Sequence, residues 1–155
     1  FVVNPIPDEY KKYFPDETIT AYKKAYQELP TTKKTFYPIP GVTFPLDSIL
    51  PRPKKIALIV DDLCGSSTEY FFHISKQSKK TTTYGIPTIG MMDYEGMSIP
   101  TALPYDKYFL TIPIVKSSWT DKKPIDLTGF QPDILLNKIE QKKWIEFVRM
   151  DLERE

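Results

Sequence analysis

The chain has 155 residues, about one domain's worth of polypeptide and enough for one sizeable core. With 41% apolar and 14% aromatic residues it reads as a folded globular protein rather than a disordered one. Its 21 basic and 20 acidic residues leave a net charge of +1, which argues against a sequence-independent nucleic-acid surface, because that needs a clear basic excess.

Residues 1–54 hold 9 of the 15 prolines and read as a helical and proline-rich arm. A short helical turn is expected over 7–14. A better helix opens at Pro15-Asp16-Glu17-Thr18, with Asp or Thr as cap and acids in the first turn, where the helix dipole favours them. Ile19, Tyr22, Tyr26 and Leu29 share its apolar face, and Pro30 ends it. Five prolines over 36–53 block regular pairing and predict an extended arm. Its Phe36, Tyr37, Ile39, Val42, Phe44, Leu46 and Ile49 are too apolar for a free linker and call for a surface to pack on.

The centre of the chain lies at 55–78. Ile56 to Val60 is an unbroken apolar run between Lys54-Lys55 and Asp61-Asp62, the pattern of a strand buried on both faces. A helix is expected from Ser66 to about Ser78, with Ser67, Tyr70, Phe71, Ile74 and Ser78 on one face and Glu69, His73, Lys76 and Gln77 on more polar sides. Gly65 provides for a sharp turn between the two. Ser66 therefore stands at a helix start, just past a buried strand, beside backbone N–H groups without helical partners. It has two readings. Ser66-Ser67-Thr68-Glu69 matches a capping box. The same position suits a nucleophile whose oxyanion is stabilised by helix N-terminal amides. Cys64, the single cysteine, cannot form an internal disulfide, so it leaves the redox compartment open. It reads as a small buried residue at the strand end. One His and one Cys make a His/Cys zinc site, and hence a metal centre, unexpected.

A second strand is expected over 81–87, parallel to the first across the helical crossover. Residues 88–96 read as a glycine-rich turn that brings backbone close to a site, with Met91-Met92 as packing residues. Residues 98–103 and 108–115 alternate as strands around a hairpin turn at 104–107. Residues 117–123 read as a polar loop, and a last helix is expected over 138–154 with Ile139, Trp144, Ile145, Val148 and Leu152 as its stripe. No run approaches the ~20 apolar residues of a membrane span. The start at Phe1, without Met or a signal pattern, suggests a fragment or a processed product.

Four landmarks in order resemble the C-terminal part of the tail-specific (C-terminal-processing) serine peptidases, the group that includes the tricorn core protease. They are Ser66-Ser67-Thr68-Glu69 after a strand; Gly85-Ile-Pro-Thr88-Ile-Gly90; a strand pair; and Asp126 before Gly129-Phe-Gln-Pro132-Asp133-Ile134. The match spans 55–136. The resemblance implies an α/β fold, a sheet with helical crossovers of the ClpP/crotonase kind, here as an incomplete domain over 55–155. It implies a serine-type endopeptidase acting on extended or C-terminal peptide segments without a cofactor. Carried over residue by residue, Ser66 is the nucleophile, the Ser67 amide an oxyanion donor, Asp126 a possible supporting carboxylate, and Gly85, Thr88 and Gly90 a substrate-binding edge.

The chain departs from the family in two places. Where processing members have a general-base Lys after the Thr-x-Gly turn, this chain has Met91, and a thioether cannot act as a base. His73, the single histidine, lies two turns from Ser66 on the same helix, roughly 10 Å of rise, out of hydrogen-bond reach, and reads as structural. The base, and half of the oxyanion hole, are therefore expected from a missing N-terminal half of the peptidase domain. The implied partners are that half and a peptide or protein substrate, with oligomerisation left open. Relatives often act outside the cytoplasm. The alternative is a non-catalytic peptide-binding pseudopeptidase module.

Overall fold

The computed structural model describes residues 6, 8–39, 41, 48–98, 100–105 and 107–154. Its contacts divide the chain into two units, residues 1–49 and 50–155, so the division falls five residues before the expected boundary at 54/55. Val42, Phe44 and Leu46, named above, and Pro7, Pro40, Pro45, Ile99 and Asp106, which fall within the expected elements, lie outside the described residues.

In the first unit, α1 (Asp8–Lys11) precedes α2 (Asp16–Glu28), which closes in a 3-10 turn over Leu29–Thr31. Asp16 and Glu17 sit in the first turn of α2 as expected. The N-cap, however, is Pro15, and no side chain caps the helix. The inner face centres on buried Ala25, flanked by half-buried Ile19, Tyr22, Tyr26 and Leu29. A groove of about 320 Å³ runs between Ala21, Ala25 and Glu28 of α2 and Tyr37 to Ile39 of the arm. The Tyr37 hydroxyl donates to the Glu28 carboxylate across it.

The second unit is mixed α/β. The apolar run becomes β1 (Ile56–Val60), followed by α3 (Ser67–Ser75) and β2 (Thr81–Gly85), which pairs parallel to β1 from Ile56↔Thr81 to Val60↔Gly85. Then come β3 (Tyr94–Met97), β4 (Thr101–Ala102), β5 (Phe109–Leu110), β6 (Pro113–Lys116), β7 (Ile134–Leu135) and α4 (Trp144–Glu153). The antiparallel pairs β3–β6 and β4–β5 form two separate two-stranded sheets. The strand expected over 98–103 is reduced to β4, that over 108–115 is split into β5 and β6, and β3 begins inside the expected turn over 88–96. The main sheet has the order β1-β2-β7, all parallel. β7, two residues long, carries no sequence signal of its own. α4 begins at Trp144, later than the pattern suggested, after a 3-10 turn over Gln141–Lys143.

Alternation along β2 sends neighbouring side chains to opposite faces. Tyr84 enters the apolar core with Leu136, Trp144 and Val148, joined by Ala57, Ile59, Phe147 and Leu152. Burying each such large side chain contributes about 1.5–3 kcal/mol. The Tyr84 hydroxyl donates to Asp151 of α4 at 2.9 Å. Ile145, expected in the stripe, is instead exposed. Thr83 points the other way and is held by Asp133. Oδ2 of Asp133 accepts from Thr83 N–H at 2.9 Å and from its hydroxyl at 2.7 Å, while Asp133 N–H donates back to the Thr83 hydroxyl at 2.9 Å. The other carboxylate oxygen takes the Lys76 ammonium of α3.

The helix α3 reverses the expected orientation. Its buried residues are Glu69 and Phe72, while Tyr70, Phe71 and Ile74 are exposed. Two contacts turn it this way. Phe72 stacks on Phe130 with ring centroids 5.3 Å apart, and the Glu69 carboxylate meets a set of donors described below.

Partial burial pushes the Asp133 carboxyl upward, but the hydrogen bonds from Lys76 and Thr83 outweigh it and hold the group below its ordinary value. A depressed carboxylate stabilises the fold above its unfolded value, near pH 4, and loses that contribution as pH falls through the lower folded value. Asp133→Ala is expected to cost about 1–3 kcal/mol at pH 7 by stripping buried Thr83 of its acceptor. The gap to wild type should narrow below pH 4. Urea midpoints of both proteins at pH 7 and pH 3 check this.

Candidate active site around Ser66

The turn between β1 and α3 places Ser66 on the surface with φ 53° and ψ −118°. Only Ser66 and Leu127 have positive φ without being glycine among the described residues. The expectation put the unusual backbone at Gly65; the structure puts it at Ser66. Gly65 is required for space instead. A Cβ there would lie 2.6 Å from Ile89 Cγ2 and 3.6 Å from Met91 Sδ. An ordinary N-cap residue has extended backbone, so this conformation is not what capping alone produces.

The turn is held by Glu69, which has no exposed surface. Its Oε2 accepts from Ser66 N–H at 3.0 Å and from Met91 N–H at 2.8 Å. Its Oε1 accepts from Gly90 N–H at 2.7 Å and from the Thr88 hydroxyl at 2.5 Å. The expected capping box of Ser66 and Glu69 is present, but it is one quarter of what the carboxylate does. Four donors fill the lone-pair positions of the two oxygens, so no acceptor of this buried side chain is left without a partner.

A second buried carboxylate, Asp93, organises the neighbouring loop. Its Oδ2 accepts from Ile125 N–H and Asp126 N–H, both at 2.8 Å, and its Oδ1 from Trp119 Nε1 at 3.1 Å. Asp126 Oδ1 accepts in return from Asp93 N–H at 3.0 Å. The loops 88–92 and 125–130 then meet backbone to backbone. A Cβ on Gly90 would lie 2.2 Å from the Ile125 carbonyl oxygen, and one on Gly129 1.8 Å from that of Thr88.

The expected site residues fall as follows. Ser66 and Ser67 are exposed at the helix start. The Thr68 N–H is bonded to the Gly65 carbonyl and the Tyr70 N–H to that of Ser66. The Ser67 N–H has no hydrogen-bond partner among the described residues. Asp126 is exposed, in the loop packed on Gly90, and its hydrogen-bond partner is the Asp93 amide rather than Ser66. Gly85, Thr88 and Gly90, expected as a substrate-binding edge, are buried and internally engaged. β2 lies between β1 and β7, and the Gly85 carbonyl accepts from Leu136 N–H at 2.7 Å. Gly85 is needed because a Cβ would lie 1.8 Å from the Val60 carbonyl oxygen.

His73 packs against Trp119 and Phe130, with centroid distances of 4.8 and 5.7 Å, a structural place as read from the sequence. Cys64 is half-buried rather than buried. Burial first, then the Asp61 carboxylate beside it, pushes its thiol up, away from the reactive thiolate. Met92 is buried, but Met91 is 57% exposed beside the turn. Sequence reasoning missed Glu69 beyond its capping role, and Asp93 altogether. The available signal was the acid three residues into the helix together with the Thr-x-Gly turn that supplies its donors.

Among the described residues no group of three or more His, Cys, Asp or Glu side chains is placed to hold a metal ion, and no helix is long and apolar enough to cross a membrane. No family model, curated protein or solved structure matches the chain.

Glu69→Gln exchanges an acceptor oxygen for an amide that must face two donors. It is expected to cost about 1–3 kcal/mol. It should also release the 88–91 amides to faster hydrogen exchange, while Glu146→Gln on the exposed side of α4 changes neither. Denaturant unfolding and amide exchange check both outcomes.

Proposed function

We propose that Ser66 is the nucleophile of a serine-type endopeptidase that cleaves extended or C-terminal peptide segments. The observation that carries this reading is the backbone of Ser66. A serine at φ 53°, ψ −118° on a strand-to-helix turn, exposed and locked by Glu69, has the strained, rigidly held form of a nucleophile elbow. The Ser67 N–H, unpartnered one residue on, supports its role as an oxyanion donor. The parallel β1–α3–β2 unit is compatible with a ClpP/crotonase-like arrangement, and residues 55–136 with the tail-specific peptidases.

In this reading the Ser66 hydroxyl oxygen attacks the scissile carbonyl and its proton passes to a general base. The tetrahedral oxyanion is stabilised at the Ser67 amide. The C–N bond breaks, the amine leaves with the proton returned by the base, and water hydrolyses the resulting Ser66 ester. The base comes from outside residues 1–155, since Met91 stands in the place of the family's Lys and His73 is committed to Trp119 and Phe130. Within the second unit the outer edge of β1 is unpaired among the described residues. A strand carrying the base could add there. Asp126 is assigned a supporting role through its loop.

A non-catalytic peptide-binding module is the second reading. It is favoured by Met91 and by the absence of any imidazole or amine hydrogen-bonded to Ser66 among the described residues. A fluorophosphonate probe applied to the full-length protein, followed by peptide mapping, separates the two. The expected result is an adduct on Ser66, with turnover lost in Ser66→Ala and its melting temperature within a few degrees of wild type. A folded protein with no adduct, or turnover surviving in Ser66→Ala, rejects the peptidase reading.

A further inference from the structure

The second strained residue lies on a loop that meets the segment next to the Ser66 turn through Gly90. Leu127 has φ 67°, a conformation that is a genuine outlier for a bulky side chain, and it is 95% exposed. It therefore combines backbone strain with an apolar side chain held in water, and its own burial repays neither. Its N–H donates to the Gly90 carbonyl at 3.3 Å. That places it next to Met91, whose amide shares the Glu69 Oε2 atom with Ser66. Met91 Sδ and Ile89 Cγ2 lie against the Gly65–Ser66 turn, and both side chains are about half exposed, at 57% and 45%. The Ile89 amide is pinned to the Cys64 carbonyl at 2.9 Å. Apart from the Cys64 thiol, the ionisable side chains around these turns and loops are acids: Asp61, Asp62, Asp126 and the internally satisfied Glu69 and Asp93.

We infer that Ile89, Met91 and Leu127 form an apolar seat beside Ser66 that takes an uncharged, apolar side chain of the peptide next to the scissile bond. This rests on the Ser66 reading and adds a substrate class to it. A peptide residue set against Met91 and Leu127 covers surface that the fold leaves in water. An acidic residue there would meet apolar surface and neighbouring carboxylates instead. The strain at Leu127 is then maintained for binding, as strained backbone at functional sites commonly is.

The test uses peptidyl phosphonates that differ only in the residue next to phosphorus, leucine or glutamate, together with a bare fluorophosphonate, on the full-length protein. The leucyl probe should label Ser66 at least about tenfold faster than the glutamyl probe. In Leu127→Gly that ratio should fall several-fold. The melting temperature of the variant should rise by a few degrees, because glycine adopts positive φ without strain and no buried contact is lost. A structural Leu127 would give the opposite shift in stability. Equal labelling by the two peptidyl probes, an unchanged ratio in Leu127→Gly, or a lower melting temperature overturns the seat while leaving Ser66 as nucleophile. Failure of the bare probe to label Ser66 removes the nucleophile and the seat with it.

Discussion

The Glu69 carboxylate is the interaction on which the rest of the second unit depends. A carboxylate taken fully out of water is tolerated only if its oxygens are satisfied. Here the donors are three backbone amides and one hydroxyl, drawn from the start of α3 and from the loop after β2. Because amides cannot move independently of the chain, the carboxylate fixes the path of both segments at once. This decides which face of α3 turns inward. It also over-determines Ser66, the condition under which a strained backbone of about 1–3 kcal/mol persists in a folded protein.

The same device recurs at the two neighbouring junctions. Asp93 ties its own loop to the amides of Ile125 and Asp126, and Asp133 ties the approach to β7 onto Thr83 of β2. The unit is therefore built asymmetrically. On the α4 side Tyr84, Leu136, Trp144 and Val148 make an ordinary apolar core. On the α3 side carboxylates bonded to backbone hold loops against one another, and glycines let those loops touch. A polar junction of this kind tolerates little displacement, since each misplaced amide leaves a buried group without its partner. That is the rigidity a surface site needs when its residues come from several loops.

The parallel β1–α3–β2 unit was legible because its signals are local: an apolar run bounded by charges, a glycine turn, a change of period. The hairpin and the general position of the last helix were legible for the same reason. β7 was not, since two residues carry no period, and their pairing depends on Asp133 bringing the chain to Thr83. The inner face of α3 was misread because periodicity counts Tyr70, Phe71 and Ile74 as apolar and Glu69 as polar. The sum of donors awaiting Glu69 lies in another segment, where no helical wheel can see it. Ser66 was legible as a position, but its φ is a tertiary consequence. Gly85, Thr88 and Gly90 were legible as a motif, and in the fold their spacing serves close backbone approach and the filling of Glu69.

The choice between a helix cap and a nucleophile turns on a difference in cost. A capping serine contributes about 1 kcal/mol and does so from relaxed, extended backbone. Ser66 belongs to a capping box, yet it stands in a conformation whose strain is comparable to or larger than that gain. Capping by itself would select a relaxed residue here, or a glycine, which loses only a few tenths of a kcal/mol as a cap. A serine hydroxyl held at this dihedral and a strained leucine in water put two unfavourable features on two loops that meet at Gly90, beside a helix N-terminal amide open to an acceptor. Each is independently removable by a single substitution, and neither supports the core. Their concentration at the end of β1 is the physical reason to read this turn as a site for chemistry, and to look for its base on a segment that approaches the same end of the sheet.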